Sequence, residues 1–516
     1  MNKLFFTLFL GLVLVGTVSA TNWYVDNAVA TSGNGQSWNT AWKAFSNIAW
    51  ANVKAGDTIY VSGGSTSKTY PKVRITYAGI SGGIVTITKG IDVGHNGEVI
   101  FLATTSTFPA VAFYLDGAKN IKVSGMTFKL ELPSGEGSAF AFGNSATGCT
   151  VENSHVISNG NGHAIGLNTV SNITIRNNTI ETLTNTYMSE QDGIIIGAQS
   201  GDILIENNII LLRGNHPATD SNSPHMDGIQ FYNVNVPPNL GNVIIRNNFI
   251  RAEQLSTSRP MAGIYTYNVN GNWLVYNNII KLGGGDGWVS ALAIDAGTHL
   301  NLNLNAKIFN NVIITKSIQN YPVAVRGADS TQIKNNILYG TSTGNQYMMN
   351  LLNSTYNKSD ISNNIFYKVG GSTFYDIRTY DAPDGSPDKT YSFAQWNALG
   401  YESNSAFVQP TFVNINGIAR DDFKLVKDSR GIDEGIPIAG ITDDILGMLR
   451  PQGFAWDIGA YEYVDGTTIF HPADYDTDGC VDLSEISSYV SLWLNEEIDL
   501  QQVSSAVRAW LGGCQT

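Results

Sequence analysis

Asn242-Val-Ile-Ile-Arg-Asn-Asn-Phe-Ile-Arg-Ala252 is a short β-branched run, a pair of asparagines and a second apolar run. The same order recurs at Asn172-Ile-Thr-Ile-Arg176 and Asp202-Ile-Leu-Ile-Glu206, each followed at once by Asn-Asn. Seven such pairs, at 177–178, 207–208, 247–248, 277–278, 310–311, 335–336 and 363–364, succeed one another at spacings of 30, 40, 30, 33, 25 and 28 residues. Each unit reads as strand, tight asparagine turn, strand. A strand this short cannot bury its apolar face alone, so the units must stack, each coil pairing its backbone with the coils before and after it. Asparagine tolerates the left-handed backbone of a sharp bend, and its amide both donates and accepts, so stacked turns predict a ladder of side-chain hydrogen bonds.

On these residues, the stretch from 22 to about 400 resembles the right-handed parallel β-helix proteins of the pectate-lyase-like superfamily. The resemblance implies three strands per coil, with the asparagine turn between the second and the third. Gly228 to Tyr232 is then a first strand, Asn242 to Arg246 a second and Phe249 to Ala252 a third. That superfamily hosts lyases, hydrolases, esterases, epimerases and non-enzymatic adhesins, so the pattern speaks to fold rather than to chemistry.

Lys3, the apolar run Leu4 to Val15 and the small-residue end Val18-Ser19-Ala20 read as a secretory signal peptide over residues 1–20, and a secreted or cell-surface location is expected. No later run approaches the roughly 18 apolar residues of a membrane span. A net charge of −13 disfavours nucleic acid and anionic membrane as partners and argues against a broadly basic groove for polyuronates. Residues 21–100, with Trp23-Tyr24-Val25-Asp26 and a helical-looking stretch near Ala41 to Val53, read as an N-terminal cap and first coil. The Gly63-Gly64 segment lacks the Gly-Lys-Ser/Thr ending of a phosphate loop. Residues 101–400 are the β-helix, with coils from about Ile121 to Phe366, some nine in number and roughly 40 to 45 Å long at 4.8 Å per strand. Residues 401–465, carrying Gly431-Ile-Asp-Glu-Gly435 and Arg450 to Tyr463, resemble the choice-of-anchor modules found behind such helices and are expected to cap the C-terminal end. Cys149, in Cys149-Thr-Val151, reads as an inward apolar residue.

Residues 470–516 hold the sharpest motif, Asp474-Tyr-Asp476-Thr-Asp478-Gly-Cys480-Val-Asp482-Leu-Ser-Glu485. Carboxylates occupy loop positions 1, 3, 5, 9 and 12, glycine position 6 and an apolar residue position 8, the pattern of an EF-hand Ca²⁺ loop in which position 7, here Cys480, contributes its carbonyl. Five convergent carboxylates repel one another without a cation, so Ca²⁺ is the expected cofactor, held by Asp474, Asp476, Asp478, Cys480, Asp482 and Glu485. Helices are predicted from Leu483 to Leu494 and from Leu500 to Leu511. Cys480 and Cys514 are a candidate disulfide, provided their Cα atoms lie within about 7 Å. A calcium loop with only its exiting helix resembles half of a dockerin, which implies a cohesin-like or cell-surface partner, the alternative being a calcium-stapled stalk or anchor. The fold class expected is therefore all-β, a right-handed parallel β-helix with an asparagine ladder and a small α-helical calcium-loop domain at its C-terminus.

In pectate-lyase-like enzymes the first strands and their flanking loops form the polysaccharide groove. Alternation with Ile229 and Phe231 inward sends Gln230 and Tyr232 outward, with Tyr265 and Tyr267 one coil on, then Asp295 and Arg326; aromatic rings beside polar groups suit sugars, so these six are candidate substrate contacts. The 40-residue interval contains the loop Arg213 to His225, which ends at Asp227, while the preceding coil brings Asp192 to the equivalent place. Asp192, Asp227, His225 and Arg213 are therefore candidate catalytic residues, as acid and base of a glycosidase or as proton acceptor for β-elimination. Asp-Gly at a strand start is also ordinary turn chemistry. The paired aspartates and Gly-His-Gly of polygalacturonases are absent, Gly162-His-Ala164 being a partial echo, as is the clustered aspartate set of calcium-dependent pectate lyases. The expectation is a secreted carbohydrate-active protein, a lyase or glycoside hydrolase on an extracellular polysaccharide; the alternative is a non-catalytic surface solenoid that binds glycans.

Overall fold

The computed structural model describes residues 20–77, 83–132, 135–160, 162–183, 191–197, 201–213, 226–232, 240–252, 261–283, 290–296, 304–316, 321–341, 347–352, 359–369, 377–380, 389–400, 402–464, 473–474 and 481–494, together with 503, 506, 507 and 510. The signal peptide read over residues 1–20 lies, except for Ala20, outside them. Among the described residues three long sheets run side by side, of 13, 12 and 12 strands, built on the second, first and third strands of the coils. The strand pairings are parallel except Ile377–Tyr380 against Lys389–Tyr391. Met226–Tyr232, Leu240–Arg246 and Phe249–Ala252 are the first, second and third strands of one coil, as the repeat implied. The molecule is a right-handed parallel β-helix.

The two asparagines of each pair divide the work. The first takes the left-handed backbone, with φ between 52° and 56° at all seven turns. The second turns inward, and its Nδ2 donates to the next coil's Oδ1 at 2.9–3.1 Å from Asn178 through Asn364. Ser154 starts this ladder and Ser405 ends it, each replacing the inner asparagine. The earlier and later coils turn on Gly125, Asn153 and Asn404, with φ of 73°, 51° and 57°. The rod therefore extends well beyond the Asn-Asn pairs, to about 58 Å for 13 strands about 4.8 Å apart. Inside, phenylalanines stack in the early coils, Phe113 on Phe140 at 5.5 Å. Aliphatic side chains, Ile165, Ile194, Ile229 and Ile264, continue the same column. Cys149 is buried among them as expected.

The helix expected near Ala41 to Val53 is instead a series of 3-10 turns, Trp38–Thr40, Phe45–Asn47 and Trp50–Asn52. Trp42, Phe45 and Ile48 are buried at a spacing of three, which suits 3.0 residues per turn better than 3.6. Phe45 closes the N-terminal end by packing edge-on against Phe101 and Phe113 at 5.4 and 5.8 Å. At the other end the helix Phe393–Ala398 inserts the fully buried Trp396.

Residues 408–463, the larger part of the 401–465 segment expected as an end cap, lie along the side of the rod. Phe412, Phe423, Leu425, Ile458 and Tyr461 cover the outward third-strand residues Phe249, Ile279, Val312, Ile337 and Ile365. The outer asparagines grip this module: Asn277, Asn335 and Asn363 donate to the carbonyls of Asp443, Ile436 and Glu434. At its centre Arg450 is wholly buried and pairs with Glu462 at 2.6 Å. Those third-strand residues are apolar on both faces, so an uncovered rod would expose a continuous apolar strip.

Candidate functional site

Small residues at the start of each first strand decide which way its chemistry faces. A Cβ on Gly193, Gly228 or Gly263 would fall 2.7, 2.5 or 2.3 Å from Cγ2 of Ile210, Ile250 or Ile280, so these positions press on the core and tolerate no side chain. The preceding residues, Asp192, Asp227 and Ala262, are thereby turned to the opposite side. One and two coils earlier the same place holds His163, before the buried Ala164, and Ser138, before the buried Ala139. The result is a row across successive coils, Ser138, His163, Asp192, Asp227, Ala262. His163 Nδ1 lies 3.1 Å from Asp192 Oδ2. Asp192 Oδ1 accepts the Asp227 backbone N–H at 2.8 Å, and Asp227 Oδ1 accepts that of Ala262 at 3.0 Å. Both carboxylates are 0% exposed. The Asp-Gly pairs are thus a way of aiming carboxylates at one face, and Asp227-Gly228 lies within the strand Met226–Tyr232 rather than at a turn.

Beside this row run the predicted substrate contacts. Gln230 pairs in register with Tyr265, Tyr232 with Tyr267 and Asp295 with Arg326. Tyr232 and Tyr267 stack at 6.3 Å with 20° between their planes. Tyr232 is 42% exposed, whereas Gln230, expected on the surface, is buried. Asp295 Oδ2 is 3.7 Å from Arg326 Nη1, and the Asp295 N–H donates to Thr266 Oγ1 at 2.8 Å. The Tyr265 phenol is pushed up to about 12, first by burial and then by the negative charges of Asp227 and Asp295, with Arg326 opposing. Asp227, Tyr265, Tyr267, Asp295 and Arg326 therefore form one electrostatic cluster in which the Tyr265 phenol ionises less readily than in water.

Arg213 does not join it. It follows the third strand Ile209–Leu212, and its Nη2 lies 3.5 Å from Glu181 Oε1, which also has His155 as a neighbour. Leaving the strand on the third-strand side carries Arg213 away from the aspartate row. His225 lies outside the described residues, immediately before Met226. His163 is the member of the row that sequence reasoning passed over; its signal was Gly162-His-Ala164, standing where later coils have Gln191-Asp-Gly193 and Met226-Asp-Gly228.

On the N-terminal side of Tyr232 the same face sinks into a trough of about 660 Å³. Ala141, Gly166 and Ile195, in register on three coils, are its floor. Gly166 leaves it open, since a Cβ there would stand 2.6 Å from Ser138 Oγ. Phe108, 79% exposed, stands at its rim.

Of the calcium-loop residues, Asp474 is buried, and Asp482 and Glu485 cap the helix Leu483–Leu494. Asp482 Oδ1 accepts the N–H groups of Ser484 and Glu485 at 2.8 and 2.9 Å, and Glu485 Oε2 accepts that of Asp482 at 2.9 Å. The bond from Glu485 N–H is the main reason Asp482 is held below the usual carboxylate range. Asp476, Asp478, Cys480 and Cys514 lie outside the described residues, as does most of Leu500 to Leu511. Among the described residues no three metal-ligating side chains converge, and no helix is long and apolar enough to cross a membrane.

A stacked-coil rod with a polar and aromatic first-strand face defines the class, a right-handed parallel β-helix, and residues 111–292 match the family described as right handed beta helix region. Among solved structures, the chain is similar to pectate lyase Pel9A at a TM-score of 0.53 and 14% identity, covering 87% of this chain and 98% of that one. A rhamnogalacturonan lyase gives 0.40 at 12% identity, over 80% and 96%. An alginate lyase from Paenibacillus sp. str. FPU-7 gives 0.36 at 17% identity, over 58% and 90%. At 14% identity the likeness to Pel9A is one of fold. Among curated proteins nothing matches the sequence.

Proposed function

We propose that the first-strand face binds an extracellular polysaccharide along the rod axis and cleaves it beside Tyr265, as a lyase or glycoside hydrolase. The observation that carries this reading is the gathering of Tyr265, Asp227, Asp295 and Arg326 on a face where Tyr232 and Tyr267 stack. A linear polymer matches a linear array of coils, and flat tyrosine rings suit the apolar faces of sugars. Tyr265 is the proton donor to the leaving oxygen, Asp227 the base that takes the proton released from the sugar carbon in elimination or from the attacking water in hydrolysis, and Arg326 the cation that steadies developing negative charge. His163 and Asp192 extend the same row by two coils. The apolar N-terminal run supports secretion or display at the cell surface.

The test is a panel of polysaccharides followed by both unsaturated-uronate absorbance and new reducing ends. Tyr265→Phe should cut turnover by about 10² or more with binding retained, whereas Tyr265→Ala should weaken binding as well. Full activity in Tyr265→Phe removes the proton-donor role. A wild-type protein that cleaves nothing, yet retains a glycan that Tyr265→Ala releases, is a binding solenoid.

The C-terminal loop is read as a Ca²⁺ loop, with side chains of Asp474, Asp476, Asp478, Asp482 and Glu485 and the carbonyl of Cys480 as donors. An all-oxygen donor set fits a hard cation, and the reciprocal bonds of Asp482 and Glu485 already bring two of the donors together at the helix start. The ion would supply a staple for the last domain, whose docking to a cohesin-like or cell-surface partner is the role that fits it.

A further inference from the structure

The trough beside Tyr232 has a chemistry opposite to that of the Tyr265 cluster. It spans the coils of Tyr114, Ala141, Gly166, Ile195 and Gln230, about 19 Å at 4.8 Å per coil. Most of the lining is apolar or aromatic, with Ala141, Gly166, Ile195, Phe108, Pro109 and Tyr232, and Ser106, Ser138 and Asn168 are its neutral polar members. Among the described lining residues the one charge is Glu136, a carboxylate. At the far limit Arg74 and Asp116 pair with each other, and the Arg74 guanidinium lies over Phe108 at 6.0 Å.

A polyuronate laid along this trough would bring one carboxylate per sugar against a lining whose one charge, among the described residues, is the carboxylate of Glu136. Each such carboxylate gives up part of its hydration without gaining a cation and meets the like charge of Glu136. A sugar whose carboxyl is esterified or absent has no such cost and offers C–H faces to Ala141, Ile195 and Tyr232. We propose that this end of the face takes uncharged sugar residues, so that the polysaccharide recognised is neutral or esterified over some three to four coils. The inference rests on the reading of the first-strand face as a polysaccharide groove, and Tyr232, shared by trough and cluster, joins the two.

The experiment compares binding of the full chain to highly methyl-esterified polygalacturonate, to the same polymer after saponification, and to a neutral polysaccharide. Affinity electrophoresis or calorimetry serves, at low and high salt. The esterified and neutral polymers should bind at least about tenfold more tightly than the saponified one, and Tyr232→Ala should weaken both. Ile195→Lys, which sets a cation in the floor, should narrow or invert the preference. Glu136→Lys, at the exposed rim, should act in the same direction without disturbing the floor. A saponified polymer that binds as tightly as the esterified one, with binding still dependent on Tyr232, overturns the inference and leaves the groove reading intact. Absence of Tyr232-dependent binding to every polymer sinks the groove reading and the inference with it.

Discussion

Replacing Asn278 by alanine removes one rung of the inner ladder, and the structure sets the size of the loss. Its Nδ2 donates to Asn311 Oδ1 at 3.0 Å and to the carbonyls of Ile245 and Tyr276 at 2.8 and 3.0 Å. Its Oδ1 accepts both the backbone N–H and the Nδ2 of Asn248, each at 3.0 Å. Asn278 is wholly buried, so alanine strands two donors of Asn248 where water does not reach. A stranded buried donor costs about 1–3 kcal/mol, so Asn278→Ala should cost about 3–5 kcal/mol. The outer asparagine of another pair is the control: Asn207 has φ of 56°, where glycine is at ease, and Asn207→Gly should stay within about 0.5 kcal/mol. Coils contact their neighbours, so the loss should be read locally, by hydrogen exchange of amides in the coils around Asn248 and Asn278, alongside urea unfolding. An Asn278→Ala cost below about 1 kcal/mol, or no larger than that of Asn207→Gly, refutes the division of labour between the two asparagines.

Chelation should unfold the segment around the helix Leu483–Leu494 and spare the rod, because a 12-residue helix is too short to hold alone; a calorimetric transition unmoved by chelator, or unchanged in Asp478→Ala, contradicts the calcium staple. Glu402, on the last second strand, has its carboxyl pushed up to about 8 by burial, with the nearby polar groups of Ser405 and Asn364 opposing. A raised carboxylate favours the protonated folded state, so stability at that end should be greatest at acid pH, fall as pH rises towards about 8 and level off beyond; Glu402→Gln should flatten the profile, and an unchanged profile rejects the assignment. Arg450→Met should leave Glu462 buried without its partner and cost about 3–5 kcal/mol, loosening the lateral module, as limited proteolysis between residues 408 and 463 would report; a module as resistant as wild type argues against that role.

Much of the rod was legible because its information is local and repeated. An Asn-Asn pair after an alternating β-branched run states turn, strand and stacking together, and register followed from the period. Where the turn used Gly125 or Asn153-Ser154 the same geometry was present without the pair, so the coil count came out short. The candidate site was legible in part. Asp192 and Asp227 were singled out as Asp-Gly pairs one coil apart, but their joining to His163 depends on a register spanning 29 and 35 residues and on how closely glycine lets the strand approach Ile210 and Ile250. Arg213 was grouped with them by proximity in sequence, yet a chain leaving a third strand points its next side chain towards Glu181.

The sequence by itself determined the repeating coil, the asparagine ladder and the outward place of Tyr232, Tyr265 and Tyr267, since each follows from backbone sterics and alternation within a few residues. Tertiary structure alone decided that residues 408–463 lie along the rod rather than across its end. Their apolar residues match a strip that exists only once Phe249, Ile279, Val312, Ile337 and Ile365 are stacked. It alone also decided that Gln230 is buried and that the Tyr265 phenol is pushed further up. Burial and the field of Asp227 and Asp295 are sums over coils brought together by folding, and no single segment contains them.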